Sequence, residues 1–205
     1  MKGIMGGKMK YKIIMIAICI LFGSYLYCQN KYDPSETKKA TVRILLGGNY
    51  LKPVINDNIN RSIFDYSFGY NAEVNLVLPS DISVYFEYCY FSNDAPYLLA
   101  GYNRDITNET LGGGIKIKLL NSDVAPSISV GLSNNFISEK VSIYNLSKIN
   151  RNKYMTEDLK FGADYIINKW LEMSGSIKLG LILDEFEIDR VNLNLSLGVN
   201  LFEFQ

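Results

Sequence analysis

From Thr41 nearly to the C-terminus, apolar and polar residues alternate with a period of two. The pattern is clearest where Phe64, Tyr66, Phe68, Tyr70, Ala72, Val74, Leu76 and Leu78 interleave with Asp65, Ser67, Gly69, Asn71, Glu73 and Asn75. Successive side chains on a strand point to opposite faces, so this segment has one apolar face and one polar face with charges in its middle. Seven further segments repeat the pattern. Val42, Ile44, Leu46 and Tyr50 oppose Arg43, Gly47 and Asn49; Ile82, Val84, Phe86, Tyr88 and Tyr90 oppose Ser83, Tyr85, Glu87 and Cys89. Leu111, Gly113, Ile115, Ile117 and Leu119 alternate with Thr110, Gly112, Gly114, Lys116 and Lys118. The fifth strand starts at Val124 and carries Pro126 on its apolar face, which costs a ladder donor unless it lies at an edge or bulge. The sixth (from Leu159), seventh (from Leu171) and eighth (from Val191) complete the set.

The connections alternate in length. Residues 79–81, 121–123 and 168–169 read as tight turns rich in Asn, Asp, Ser and Pro. Residues 52–61, 92–107, 134–157 and 184–189 read as longer, polar loops, the third of them keeping β character through 136–146. Short turns on one side and longer loops on the other predict an all-β fold, an eight-stranded antiparallel up-and-down transmembrane β-barrel.

A soluble lipocalin-like barrel uses the same alternation inside out. Three observations favour the membrane. The apolar faces carry almost no charge, whereas a cation at the bilayer midplane costs about 2 to 4 kcal/mol. The strands are long enough to cross a bilayer at a tilt. Tyr50, Phe64, Tyr66, Tyr88, Tyr90 and Phe161 gather toward the long-loop ends, where an interfacial aromatic girdle belongs. The polar face then lines the lumen with Arg43, Asp65, Glu73, Glu87, Lys116, Lys118, Asp158, Lys160, Asp164, Glu172, Lys178 and Arg190. These charges are expected to pair with one another, because isolated buried charges are too costly.

Ahead of the strands, four lysines precede an apolar run (residues 13–22) and a short segment ending at Gln29, the layout of a secretory signal peptide over residues 1–28. An uncleaved anchor is the alternative, although the apolar run falls short of a spanning helix. Tyr27 is too bulky for a lipobox before Cys28. Residues 29–40 read as a periplasmic lead-in and 41–205 as the barrel domain. Loss of Lys2, Lys8, Lys10 and Lys12 with the leader turns an even balance of 21 basic and 21 acidic residues into an acidic excess of four. That argues against nucleic acid as a partner. Cys89 is the lone cysteine of the mature chain, so no internal disulfide is expected.

The hairpin FGYNAEVNLVLPSDISVYFEY, its weaker echo FGADYIINKWLEMSGSIKLG, the pair LGGGIKIKLL and VAPSISVGLS, and the closing VNLNLSLGVNLFEF resemble the small outer-membrane barrels typified by OmpX and the barrel domain of OmpA, in a form found in Bacteroidota. The resemblance spans Thr41 to Phe204 and implies residence in the cell outer membrane, surrounded by its lipid. Two departures stand out. Phe204 is penultimate, where the family commonly ends on an aromatic, and the apolar register slips between Leu201 and Phe202.

Candidate chemistry is sparse. The chain has no histidine, which removes the usual general base of Ser-His and Cys-His sites. The carboxylate pairs Asp65/Glu73 and Asp164/Glu172 are better read as lumen salt bridges. The LGGG stretch at 111–114 lacks a phosphate loop's Lys-Ser/Thr. No metal-ligand spacing occurs. The expectation is a non-enzymatic outer-membrane barrel, without catalytic residues, cofactor or metal, in a structural or interaction role, its external loops or periplasmic rim docking a partner such as a protein of an envelope complex. A narrow solute pore and a soluble ligand binder are the alternatives. Lys140, Lys148, Arg151 and Lys153 in the longest loop are candidates to meet lipopolysaccharide phosphates or a protein.

Overall fold

The computed structural model describes residues 40–53, 67–96, 102–120, 122–143, 146–182 and 188–204. They form eight strands: β1 (Ala40–Pro53), β2 (Ser67–Val77), β3 (Ile82–Pro96), β4 (Tyr102–Lys118), β5 (Val124–Ile143), β6 (Leu146–Ile166), β7 (Leu171–Ile182) and β8 (Ile188–Phe204). Each pairs antiparallel with its sequence neighbours, and β8 returns to β1, closing the barrel. Closure removes every edge that the ring itself would otherwise expose.

The short turns follow from local chemistry. Between β2 and β3, Leu78 N–H donates to Ile82 O at 2.7 Å, and Asp81 takes a left-handed backbone (φ 60°) that a short polar side chain tolerates. Between β6 and β7, Asn168 Oδ1 accepts from the N–H groups of Trp170 (2.8 Å) and Leu171 (3.0 Å). Pro126 lies one residue past the last β4–β5 pair, Lys118 and Ser127, with its carbonyl accepting from Leu119 N at 2.8 Å. The missing proline donor therefore falls on the β4 side, where the β4–β5 ladder has already ended, while pairing with β6 continues past it to Val124.

Alternation decides which side is filled. Asn71, Glu73 and Asn75 are buried, while Phe68, Tyr70, Val74 and Leu76 on the same strand are exposed. The same holds around the ring, with Leu46, Phe86, Leu111, Leu195 and Leu197 all exposed on the outside. Apolar side chains thus point outward and polar ones inward, the reverse of a lipocalin-like binder. Below Lys52, Glu109 and Glu157, no outward strand position carries a charge among the described residues until the turns. A few apolar groups do face in: Leu45, and near the long-loop end Leu51, Cys89, Phe91 and Ile106.

Several expected boundaries are corrected. Residues 134–157 are strand for most of their length: β5 runs to Ile143 and β6 starts at Leu146, paired rung by rung. Polar residues there masked the ladder, because residues 146–153 are exposed on both faces of the strand and need no apolar stripe. Residues 92–107 likewise belong largely to β3 and β4, paired out to Pro96 and Asn103. The loop expected at 184–189 gives its last two residues to β8. The leader, Asp65, Phe64 and Tyr66 lie outside the described residues.

Two irregularities interrupt the ladder. Val42 pairs with Phe202 but Arg43 with Asn200, so Leu201 is the extra residue of a β-bulge. That bulge accounts for the register slip in the sequence, since Leu201 and Phe202 both face outward and are exposed. A second bulge lies where Gly180 pairs with Arg190 and Leu181 with Ile188, leaving Asp189 unpaired in the ladder.

Candidate functional site

The polar faces of all eight strands converge on the lumen, the one place where the described residues concentrate chemistry. Six buried acids (Glu73, Glu87, Asp158, Asp164, Glu172, Asp189) meet six buried bases (Arg43, Lys116, Lys118, Lys160, Lys178, Arg190) there. Strand position along the barrel sorts them into three levels.

At the short-turn end, Arg43 Nη1 donates to Glu172 Oε1 at 2.6 Å and its Nε to Asn200 Oδ1 at 2.8 Å. Lys116 bonds Asp164 at 2.8 Å, and Ser174 donates to the same carboxylate at 2.7 Å. Lys118 lies 3.6 Å from Asp164 and 4.0 Å from Glu172. Two carboxylates are thus held among three cations.

In the middle, Lys160 on β6 pairs with Glu73 on β2 and reaches Glu87 at 3.3 Å. Lys178 on β7 pairs with Glu87 on β3 and approaches Asp158 at 3.4 Å. Asn75 donates to Glu73 at 2.8 Å, Ser133 donates to Asp158, and the Lys160 ammonium sits 5.1 Å from the Tyr85 ring centroid. Charge-assisted bonds of this kind are strong where water is excluded.

Toward the long-loop end, Arg190 on β8 crosses to Thr156 on β6 (2.9 Å) and Thr110 on β4 (3.4 Å). Thr110 donates to Asn135 at 2.8 Å. Asp189 accepts from Tyr154 at 2.8 Å. The bulge lets consecutive Asp189 and Arg190 both turn inward, which strict alternation forbids. Asp189 is therefore the lumen group that the period-two pattern missed; the signal available was the adjacent charged pair Asp189-Arg190 interrupting the alternation. Asn192, fully buried on β8, bonds through neither amide atom to any of the described residues.

The structure brings together every lumen charge named from the sequence except Asp65, which lies outside the described residues. Of the girdle residues, Tyr50 meets Phe68 edge-on at 5.3 Å, and Tyr70 stacks on Tyr90 at 5.1 Å with Tyr88 at 6.4 Å. Phe161 is placed differently. Because β6 starts at Leu146, Phe161 lies toward the short-turn end, opposite Ile128 and Ile177, instead of near a long loop. Among the described residues, no group of three or more His, Cys, Asp and Glu is arranged to hold a metal ion.

No protein-family model matches the chain, and no curated protein does. Solved structures do. Ail, the attachment invasion locus protein of Yersinia pestis, superposes with a TM-score of 0.56 at 11% identity, covering 81% of this chain and 100% of Ail. A major outer membrane protein from Thermus thermophilus gives 0.58 at 13% identity over 79% of this chain and 99% of its own. Neisserial surface protein A gives 0.55 at 11% identity over 79% and 97%. With its closed eight-strand ring, apolar exterior and charged interior, the chain has the fold of the small outer-membrane β-barrels.

Proposed function

We propose that this protein is a non-enzymatic resident of the outer membrane whose role is structural or one of interaction, with external hairpins or the periplasmic rim docking a partner in an envelope complex. An apolar outer band, free of charge below Lys52, Glu109 and Glu157, around a lumen whose six buried acids meet six buried bases supports this reading. An exterior of exposed Leu, Ile, Phe and Tyr suits lipid. An eight-stranded barrel is just wide enough for its interior side chains to meet, and here β6 bonds to β2, β7 to β3 and β8 to β4 across it. Charged and polar contacts at three levels, with Leu51, Cys89 and Phe91 packed together beside the uppermost, disfavour a solute pore.

Membrane fractionation followed by electrophoresis with and without boiling tests the proposal. Recovery in the outer membrane with a heat-dependent mobility shift is expected. A soluble product without a shift overturns it, and steady solute-sized conductance in planar bilayers would replace it with the pore.

A further inference from the structure

The first charges above the apolar outer band stand on opposite sides of the barrel and have opposite signs. Lys52 on β1 is exposed, opposite Val191 in the ladder and two residues beyond Tyr50 on the same face. Glu109 on β4 lies opposite Tyr90 and Phe136, and Glu157 on β6 lies opposite Leu132 and Leu181. Between those two strands runs β5, which in a ring of eight is the strand farthest from β1. On it Asn134 also faces outward, opposite Leu111 and Met155. Among the described residues, no ion pair engages Lys52, Glu109 or Glu157. Lys153, the next cation outward on β6, sits over the Phe136 ring.

The register places these groups at a common height. Followed rung by rung from Leu46, the ladder reaches Met155 on β6 by way of β2 to β5, and Tyr165 by way of β8 and β7. One circuit therefore climbs by the ten residues that separate Met155 from Tyr165. Shared among eight strands, that stagger is about 1.25 residues per strand. Corrected for it, Lys52, Glu109, Asn134 and Glu157 lie within about two residues of one level. Just below that level the two sides differ in shape, with the Tyr50–Phe68 ring pair on β1 and β2 and the exposed aliphatic side chains Leu111 and Leu132 on β4 and β5.

We infer that a second copy of this chain docks on the barrel wall, the β1 side of one barrel against the β4–β6 side of the next, with Lys52 seated among Glu109, Asn134 and Glu157 of its neighbour. The inference rests on the outer-membrane reading above, which holds all copies upright in one bilayer and so keeps their charges at matching heights. Opposite charges at one level favour this pairing, whereas β1 against β1 sets Lys52 against Lys52 and the acidic sides repel each other. Apolar packing of Tyr50 and Phe68 on Leu111 and Leu132 supplies van der Waals contact within the lipid. Because the two surfaces lie on opposite sides of the barrel, the contact is heterologous and extends into rows.

The test uses barrels folded into phosphatidylcholine vesicles and first checked for the heat-dependent mobility shift. Lys52→Cys barrels mixed with Glu157→Cys barrels should give a disulfide-linked dimer on mild oxidation, several-fold more than either variant by itself, with the unsubstituted chain as the control for its own cysteines. Energy transfer between dye-labelled barrels measures the association directly. Lys52→Glu should weaken it about tenfold, and mixing that variant with the double variant Glu109→Lys, Glu157→Lys should restore it. Equal cross-linking of like and unlike variants, or energy transfer indifferent to charge reversal, overturns the inference. Association that appears only when lipopolysaccharide is added overturns it too, in favour of a lipid-bridged contact. Monomers that keep the mobility shift sink the inference alone; a wild-type chain without the shift sinks the outer-membrane reading and the inference with it.

Discussion

Lys178 and Glu87 stand on diametrically opposite strands, β7 and β3, and form an ion pair through the centre of the lumen. Lys160 and Glu73 do the same for β6 and β2. The barrel wall is thus held by its ladder and also braced across its diameter by contacts between residues distant in sequence.

Breaking one brace should be costly. Lys178→Met leaves Glu87 buried with only Lys160 in reach and should destabilise the barrel by about 3 to 5 kcal/mol. Adding Glu87→Gln should recover most of that loss, because the stranded charge is gone. Urea unfolding in micelles, followed through Trp170, the only tryptophan of the chain, reads both effects. Equal losses for single and double variants would contradict the pairing.

The lipid-facing side should respond in the opposite sense to polarity. Leu195, 61% exposed in the middle of β8, faces the bilayer in the proposed setting. Leu195→Arg should cost about 2 to 4 kcal/mol in vesicles and little in a water-soluble fold. Unfolding free energies of the wild type and variant in lipid vesicles give the comparison, and an unaffected variant argues against a lipid-facing wall.

Glycines divide by side. A Cβ on inward Gly114 would collide with the backbone carbonyl oxygen of Val130 on the neighbouring strand, whereas one on outward Gly175 meets nothing within 4 Å. Gly114→Ala should therefore cost about 1 to 3 kcal/mol through overpacking, and Gly175→Ala should be tolerated. Refolding yield and urea midpoints of the two variants separate them.

Cys89 has no exposed surface and packs with Leu51 and Phe91. It should resist a maleimide reagent in the folded barrel and react once the barrel is unfolded. Mass spectrometry of the peptide containing Cys89 checks this; rapid labelling of the native protein would mean the upper lumen is open.

Strand existence, order and sidedness were legible wherever one face had to be apolar. Phe68 to Leu76 and Leu193 to Val199 alternate without interruption, and their facing follows directly. The slip at Leu201-Phe202 was visible as well, and its meaning, a bulge, needed the pairing partner on β1. The β5–β6 hairpin was read largely as loop because strands wetted on both faces carry no period-two signal. Phe161 was placed at the wrong end of its strand for the same reason: the start of β6 was hidden in that polar stretch.

The sequence by itself determined the all-β barrel plan and which residues turn inward, because a period of two admits only two faces and the charges sit on one of them. It also determined that charges of both signs would share the interior. The tertiary structure alone decided which charges pair. Glu87 meets Lys178 and not Lys116 because strand stagger sets the height of each side chain, and stagger depends on closing all eight strands at once. The same closure admitted Asp189 to the lumen through a bulge, and among the described residues it pairs β6 with β7 only from Thr156 onward, ten rungs after β6 begins.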